Sequence, residues 1–253
     1  MNYKLTLGWL YPELMSTYGD RGNITVLQKK AQDNNIELDV LRINQDSEAF
    51  ELDKCDLIFM GGAQDLQQEI VNKDLLGKKG EKIIRLINNG VPGLFICGAY
   101  QFLGKYFIDS YGTKIKGLGL FNMYTQTPLN RPRLIGNIVV KPLSITMNSL
   151  FPYLVGFENH GGRTYLEDKS QAFATVRKGH GNNGKDKTEG IHYKNAIGTY
   201  LHGPILPSNP ELADYMIEIS YKRKFDSEIK IKPSDYYARK AKGTLLKRLH
   251  IIY

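Results

Sequence analysis

Cysteine is scarce in this chain: Cys55 and Cys97 are the only two among 253 residues. Two cysteines cannot staple a small fold, and they fit a reducing compartment, so a cytoplasmic location is expected. No apolar run approaches the ~18 residues of a membrane-spanning helix. Histidine is sparse as well, and its five copies show no C-x-x-C or H-E-x-x-H spacing, so no metal site is expected. The phosphate loops G-x-x-x-x-G-K-[ST] and G-x-G-x-x-G are both missing, which leaves nucleotide binding by this chain without support. The opening MNYKLTLGWLYPELMS has one lysine and a short apolar run before Pro12 and Glu13. It lacks the long apolar core and cleavage site of a secretory signal and reads as a first strand. No period of a few tens of residues recurs, which argues against a solenoid.

What is present is a hydrophobic content of 42%, enough for a full core. Much of the net charge of +8 sits in YKRKFDSEIKIKPSDYYARKAKGTLLKRLHIIY. Leu245, Leu246, Leu249 and Ile252 are spaced there to dock one face of a basic helix. No nucleic-acid motif accompanies the charge, so a solvated amphipathic helix is expected and no nucleic-acid partner. An acidic partner protein or anionic lipid headgroups are the alternatives. No polar linker interrupts the chain before that region. The expected organisation is one domain over 1–225 and a basic helical tail over 226–253.

Strands are expected at Lys4–Leu10, Ile36–Ile43, Cys55–Met60 and Val91–Cys97. Helical patterns lie between them at Ile24–Asn34 and, as one or two helices broken near LLGKKG, at Leu66–Asn88; another covers Tyr100–Phe107. That alternation predicts an α/β fold with a mostly parallel central sheet flanked by helices. After Gly117 the pieces are strand-like, at Gly136–Lys141, Tyr153–Glu158, Ala172–Val176 and Ala196–Leu201, until helix returns at Pro210–Lys224. Ligands of such sheets bind beyond the carboxyl ends of the strands. Two of these ends are Gly61-Gly62 and Cys97-Gly98.

VPGLFICGAYQFLG, Val91 to Gly104, has the order of a nucleophile elbow: strand, nucleophile, small residues, helix. A sharp turn leaves room only for small neighbours such as Gly98 and Ala99. The helix N-terminus behind Cys97 favours thiolate, and the Gly98 N–H can face a developing oxyanion. Free cysteine is also a common core filler, and the local pattern alone supports both readings equally. Cys55, at the start of its strand, reads as filler.

A catalytic thiol needs a base. His180 and His250 are expected in solvent, and His192 on either face of its strand. His202 closes the strand Ala196–Leu201, as His160 closes another against two glycines; His202 is the first candidate and His160 the second. MGGAQD, Met60 to Asp65, offers backbone N–H groups or simply a tight turn. TYGDRGNI, Thr17 to Ile24, reads as a helix N-cap through Asp20 or Asn23 or, as the second choice, a loop lining the site. Arg131 and Arg133 in NRPRLIGN are able to grip a carboxylate, although surface arginines are common.

With these residues assembled, the chain resembles the class I glutamine amidotransferases of the cobyric-acid-synthase type. Within them it is most similar to the glutaminase subunits of lipid II isoglutaminyl synthases. YGDRGNI, FMGGAQD, PGLFICGAYQFLG, GLGLFNMYT, RLIGN, GFENHGGRTY, EGIHYKN and GTYLHGPILP carry the resemblance in order, across most of residues 5–207. It implies that Cys97 attacks the glutamine side-chain amide, that His202 serves as base and acid, and that Gly62 and Gly98 supply oxyanion N–H groups. Gln101 joins the substrate site, and an arginine, Arg133 by motif or Arg131 by spacing, holds the glutamine α-carboxylate. Ala99 stands where the family's elbow has its second glycine. Pro204 occupies the position of the usual triad acid, which implies a Cys–His dyad. The resemblance further implies a heterodimer with a MurT-like Mur ligase ATPase subunit. That partner would carry ATP and Mg, and lipid II would be reached through it at the inner face of the membrane. The alternatives are a glutaminase for a cobyrinate-like acid or a non-catalytic binding module.

Overall fold

The computed structural model describes residues 3–63, 65–233 and 235–251; Gln64 of MGGAQD and Ile252 of the tail lie outside them. Apolar runs too short for helices form the central sheet: β1 (Tyr3–Leu10), β2 (Ile36–Ile43), β3 (Leu57–Met60) and β4 (Gly93–Ile96). The β3 and β4 residues are buried throughout, as expected for strands covered on both faces. The intervening segments are α1 (Arg21–Asp33), α2 (Asp65–Leu75) and α3 (Lys78–Asn88). The helical stretch between β3 and β4 therefore divides at LLGKKG. Gly80 is forced there, because a Cβ on it would overlap the Leu75 carbonyl oxygen.

Beyond Cys97 the expectation of one helix over Tyr100–Phe107 is not met. Helix α4 (Gly98–Phe102) is a single turn, and β5 (Tyr106–Ile108) follows it. The chain leaves the helix at Gly104, and Lys105 N–H donates to the Met123 carbonyl. A Cβ on Gly104 would stand 3.0 Å from that same Met123 oxygen. The pairing won over the helical periodicity. β6 (Lys114–Lys116) and β7 (Met123–Gln126) join β5 in a smaller sheet. The next elements are β8 (Leu134–Pro142), α5 (Ile145–Leu150), β9 (Leu154–His160), β10 (Arg163–Leu166), β11 (Ala174–Lys178) and β12 (Thr188–Glu189). β10 completes the smaller sheet in the order β10-β7-β5-β6, and β12-β11-β8-β9 form a third.

The chain then returns to the central sheet through β13 (Ile191–Tyr193) and β14 (Ala196–Thr199). The order is β13-β14-β4-β3-β1-β2, with β14, β4, β3, β1 and β2 parallel and β13 an antiparallel edge. This is the mostly parallel α/β sheet anticipated from the pattern. It also brings the carboxyl ends of β14, β4 and β3 side by side.

After α6 (Ile205–Ser208), helix α7 (Pro210–Phe225) packs on α1, and α8 (Tyr236–Arg248) follows. Leu246 of α8 is buried with Val139 and Val155, and Leu245 and Leu249 pack around them. The fully buried Lys30 ammonium on α1 bridges Asp214 of α7 and Asp235 at the start of α8. Arg239 and Lys242 of α8 reach Glu211 at 3.1 Å each. Charge pairs and a small apolar stripe thus seat the basic helix on the domain. No helix among the described residues is long and apolar enough to cross a membrane.

Candidate active site

Cys97 sits between β4 and α4 with φ 51° and ψ −103°, outside the regions non-glycine residues ordinarily occupy. Such strain survives only where the surroundings impose it. Here the Cys97 N–H donates to the Thr199 carbonyl of β14 at 2.9 Å, and Gln101 N–H closes the helical turn onto the Cys97 carbonyl. Gly98 permits a close approach here: a Cβ on it would lie 2.8 Å from Gln68 Nε2, which would have to move aside, and 3.3 Å from the Ala63 nitrogen. The Ala99 methyl is fully buried, so the departure from two glycines is accommodated in the core.

His202 follows β14 by three residues and is tied down by a two-way backbone bridge to Phe157 of β9. The site therefore needs two sheets, one presenting Cys97 and the other fixing the segment that carries His202. Gly62 at the end of β3 lies between them. A Cβ on it would stand 3.3 Å from both Cys97 Cβ and His202 Cε1. Of the five histidines, His180 and His250 are exposed and His192 lies half-buried on the edge strand β13. His160 is also in the site. Its ring stacks on Tyr200 at 3.7 Å, its Nδ1 lies 2.8 Å from the Gly162 carbonyl, and Glu158 faces its Nε2 at 3.9 Å.

These residues line a cleft of about 1330 Å³ that also receives Gln101, Arg131 and Arg133. Arg133 is anchored by Asn159, whose side-chain and backbone oxygens accept from Nε and Nη2 at 2.8 and 2.7 Å. Its charge is felt by both Cys97 and His202, whereas Arg131 makes no ion pair with a described residue. Gln101 donates to the Tyr200 hydroxyl at 3.1 Å, in a buried chain that continues through Thr164 to Thr125.

Two side chains behave differently from the sequence reading. Asp20 and Asn23 do not cap α1 with their side chains. Asn23 accepts from the Leu206 N–H. Asp20, fully buried, reaches across to accept the Gly62 N–H at 2.8 Å. The Gly62 N–H expected to face an oxyanion is thus already committed to a carboxylate. Glu158 serves His180 and Gly181 N–H groups at 2.7 and 2.9 Å as well as facing His160. A further buried acid, Glu189 on β12, was not singled out from the sequence. It accepts from the Thr199 hydroxyl and the Tyr200 N–H directly behind the elbow.

Burial sets the charge state of the cleft. It pushes the Cys97 thiol up to about 12, with Asp20 adding to the rise and Arg133 and the Gly98 N–H opposing it. It pushes the His202 imidazole down to about 3, helped by His160 and Arg133. Asp20 and Glu189 are each raised by burial to about 7. At neutral pH the site therefore holds a thiol and a neutral imidazole, both buried, beside the Arg131 and Arg133 wall of the cleft. A thiol, a base beside it and an arginine at one end suit nucleophilic attack on an amide of a carboxylate-bearing substrate. No group of three His, Cys, Asp or Glu side chains among the described residues is placed to hold a metal ion.

Comparison with known proteins narrows the chemistry. A glutaminase domain of Trypanosoma brucei CTPS with bound acivicin shares the fold at a TM-score of 0.57 and 12% identity, covering 91% of this chain and 98% of that one. PurLQS from Thermotoga maritima aligns at 0.56 and 15% identity over 89% and 97% of the two chains. Closer in sequence is lipid II isoglutaminyl synthase (glutamine-hydrolyzing) subunit GatD of Staphylococcus aureus. It is 44% identical over 222 residues, which is 88% of this chain and 86% of the relative. The subunit of the same name from Streptococcus pneumoniae is 38% identical over 90% of this chain and 85% of its own. A probable cobyric acid synthase of Methanococcus maripaludis is 35% identical over 181 residues, 34% of its length. The model of the CobB/CobQ-like glutamine amidotransferase domain matches residues 6–210, a span that contains the elbow, His202 and both glycine-ended strands. The chain belongs to the CobB/CobQ-like glutamine amidotransferase family.

Proposed function

We propose that this chain is the glutaminase subunit of a lipid II isoglutaminyl synthase, with Cys97 as nucleophile and His202 as base. The observation that carries the reading is the convergence of Cys97, Gly62 and His202 on one cleft walled by Arg133. The 44% and 38% identical isoglutaminyl synthase subunits, matched over most of both chains, supply the substrate class.

In this mechanism Arg133 holds the α-carboxylate of glutamine, and the side-chain amide lies over Cys97. His202 Nε2 or Nδ1 takes the thiol proton as sulfur bonds to the amide carbon. The negative charge moves to the amide oxygen, where the Gly98 N–H stabilises it. The imidazolium returns the proton to nitrogen, the C–N bond breaks, and ammonia leaves behind a γ-glutamyl thioester. Water, deprotonated by the now neutral His202, splits the thioester to glutamate and free thiol. The sum is glutamine plus water giving glutamate plus ammonia. Amidating a carboxylate requires its activation by ATP, and this chain carries no phosphate loop. That step falls to a Mur-ligase-like ATPase subunit acting on the D-glutamate α-carboxylate of lipid II. Ammonia has to cross between the subunits before it meets bulk water and becomes unreactive ammonium, which requires the cleft to face the partner. A chain that acts through a lipid-linked substrate works at the inner membrane face.

The test is glutamate release from glutamine, measured on the chain with and without the ATPase subunit. Cys97→Ala and His202→Ala should each lower turnover by at least about a thousandfold. Full activity in either variant, in a folded protein, refutes the assignment.

A further inference from the structure

Beside the cleft lies a second, smaller cavity of about 170 Å³ that the proposed reaction does not use. Its wall carries Arg131, Arg163 and Lys185 together with Gln126, Tyr165 and Asn183, and no acidic side chain. We infer that it is an oxyanion-binding site, built for a carboxylate or phosphate group and distinct from the pocket at Cys97.

Arg163 is the strongest ground. On β10 it is only 7% exposed, yet its guanidinium makes no ion pair with a described residue. It is held by backbone oxygens instead. Nη1 donates to the Gly161 carbonyl at 2.6 Å, and Nη2 donates to that of Pro132 at 2.7 Å. A buried guanidinium without a counter-ion is costly, and here Arg131 and Arg133 add like charge beside it. These two carbonyl-facing bonds orient the group without neutralising it. Asp186, in the adjoining loop, is outside the cavity wall; it accepts from Asn183 and Thr188 and faces Lys169 at 3.8 Å. The charged side chains that line the cavity are thus all cationic, which is the condition for capturing an anion.

The surroundings suit the same class of ligand. Gln126 is the register partner of Arg163 across β7 and β10, and it brings an amide to the same cavity. Tyr165, two residues along β10, stacks on Tyr124 at 5.3 Å. Because β10 is the edge strand of its sheet, Tyr165 ends the stack on the cavity side. The wall between the two cavities includes Pro128 and Arg131, which line both. Arg163 itself faces only the smaller one.

Thermal unfolding of the full chain in inorganic phosphate, against sodium chloride of equal ionic strength, tests the site. At about ten times its Kd, phosphate should raise the midpoint by roughly 3–5 °C. Lys185→Gln should lower phosphate affinity at least threefold, and Lys116→Gln, an exposed lysine on β6, should leave it unchanged. Arg163→Gln should abolish the shift if it folds; Lys185 sits in solvent and keeps the test open if it does not. Equal shifts in phosphate and chloride, or an unaltered phosphate response in Lys185→Gln, overturn the inference. So does competition between phosphate and saturating glutamine in Cys97→Ala, because it would merge the two cavities into one site. Repeating the titration on the complex, a step that rests on the proposed function, separates two sources of the anion. Phosphate affinity retained there marks a free anion. Phosphate excluded there, with Lys185→Glu weakening association, marks a carboxylate of the ATPase subunit. Neither reading uses glutamine turnover, so failure of the glutaminase assignment leaves this test intact.

Discussion

Replacing Asp20 by Asn should remove a pH dependence of stability whose size the structure sets. The Asp20 carboxyl is fully buried, with one oxygen on the Gly62 N–H and Oδ1 without a partner among the described residues. Burial raises it from 3.8 to about 7, and the Gly62 hydrogen bond only partly opposes the rise. An acid whose folded pKa exceeds its unfolded value binds its proton more tightly when folded. Its contribution to stability is complete below the unfolded pKa and vanishes as pH rises through the folded one. The full window, from about pH 4 to pH 7, amounts to about 4 kcal/mol at 1.36 kcal/mol per unit. Between pH 5 and pH 8 about 2–3 kcal/mol of it is accessible.

Asn keeps an oxygen for the Gly62 N–H and carries no titrating proton. Its amide has no acceptor at the Oδ1 position, and that penalty is the same at every pH. Glu189 and His202 titrate in both proteins and cancel in the difference. Urea unfolding of wild type and Asp20→Asn at pH 5, 6, 7 and 8 reads the effect directly. Wild-type stability minus that of the variant should fall by about 2–3 kcal/mol from the lowest pH to the highest. A difference flat to within about 0.5 kcal/mol refutes the raised carboxyl, since extrapolation errors are no larger for a well-matched pair.

Other outcomes follow from the same geometry. Gly62→Ala places a methyl carbon 3.3 Å from both Cys97 Cβ and His202 Cε1; kcat for glutamine hydrolysis should fall at least about tenfold with the fold intact by circular dichroism. Arg133→Gln should raise the glutamine KM at least about tenfold, and Arg131→Gln by less than about threefold. The reverse order would assign the α-carboxylate to Arg131. Iodoacetamide should alkylate Cys97 slowly at pH 7 and about tenfold faster per pH unit up to pH 10, because the thiol lies at about 12. A plateau below pH 8 would mean a thiolate in the resting site.

Periodicity made the sheet legible because a parallel strand must be apolar on both faces. Leu57–Met60 and Gly93–Ile96 show this directly, the alternating edge strand Ile36–Ile43 was legible from its period of two, and the break within Leu66–Asn88 from its glycines. Tyr100–Phe107 was not: its apolar spacing fits a helix, and only the distant Met123 carbonyl decides that Lys105 pairs instead. The positions of Cys97 and His202 were legible because each ends a recognisable apolar strand. Asp20 was not, since the D-R-G-N pattern has a local explanation in capping, and nothing local indicates that its carboxylate reaches Gly62, 42 residues away. Glu189 is hidden for a related reason. A glutamate in a polar loop, KGHGNNGKDKTEG, gives no sign that β12 turns it inward under Thr199 and Tyr200.

The charge state of the resting site constrains how it can react. A thiol at about 12 facing an imidazole at about 3 makes a pre-formed thiolate–imidazolium pair cost on the order of 12 kcal/mol before their attraction is counted. Opposite charges 4 Å apart recover about 4 kcal/mol at an effective dielectric of 20. The balance leaves the neutral thiol and imidazole as the resting state, so in the proposed reaction the proton transfer to His202 belongs to the attack on the substrate and not to the free site. The Gly98 N–H is directed at the Cys97 sulfur in the resting site, and in the proposed reaction it serves the charge that develops on the amide oxygen. Asp20 belongs to the same argument. While it holds the Gly62 N–H, only one of the two glycine donors of the proposed reaction is available to an oxyanion. Weakening that bond, by protonating Asp20 or by moving the loop that carries it, would free the second donor and lower the barrier without altering Cys97 or His202. Asp20→Asn weakens it by replacing a charged acceptor with a neutral one, so turnover should rise or hold in the variant; a loss of more than about tenfold in kcat at unchanged KM would show instead that the carboxylate itself assists His202.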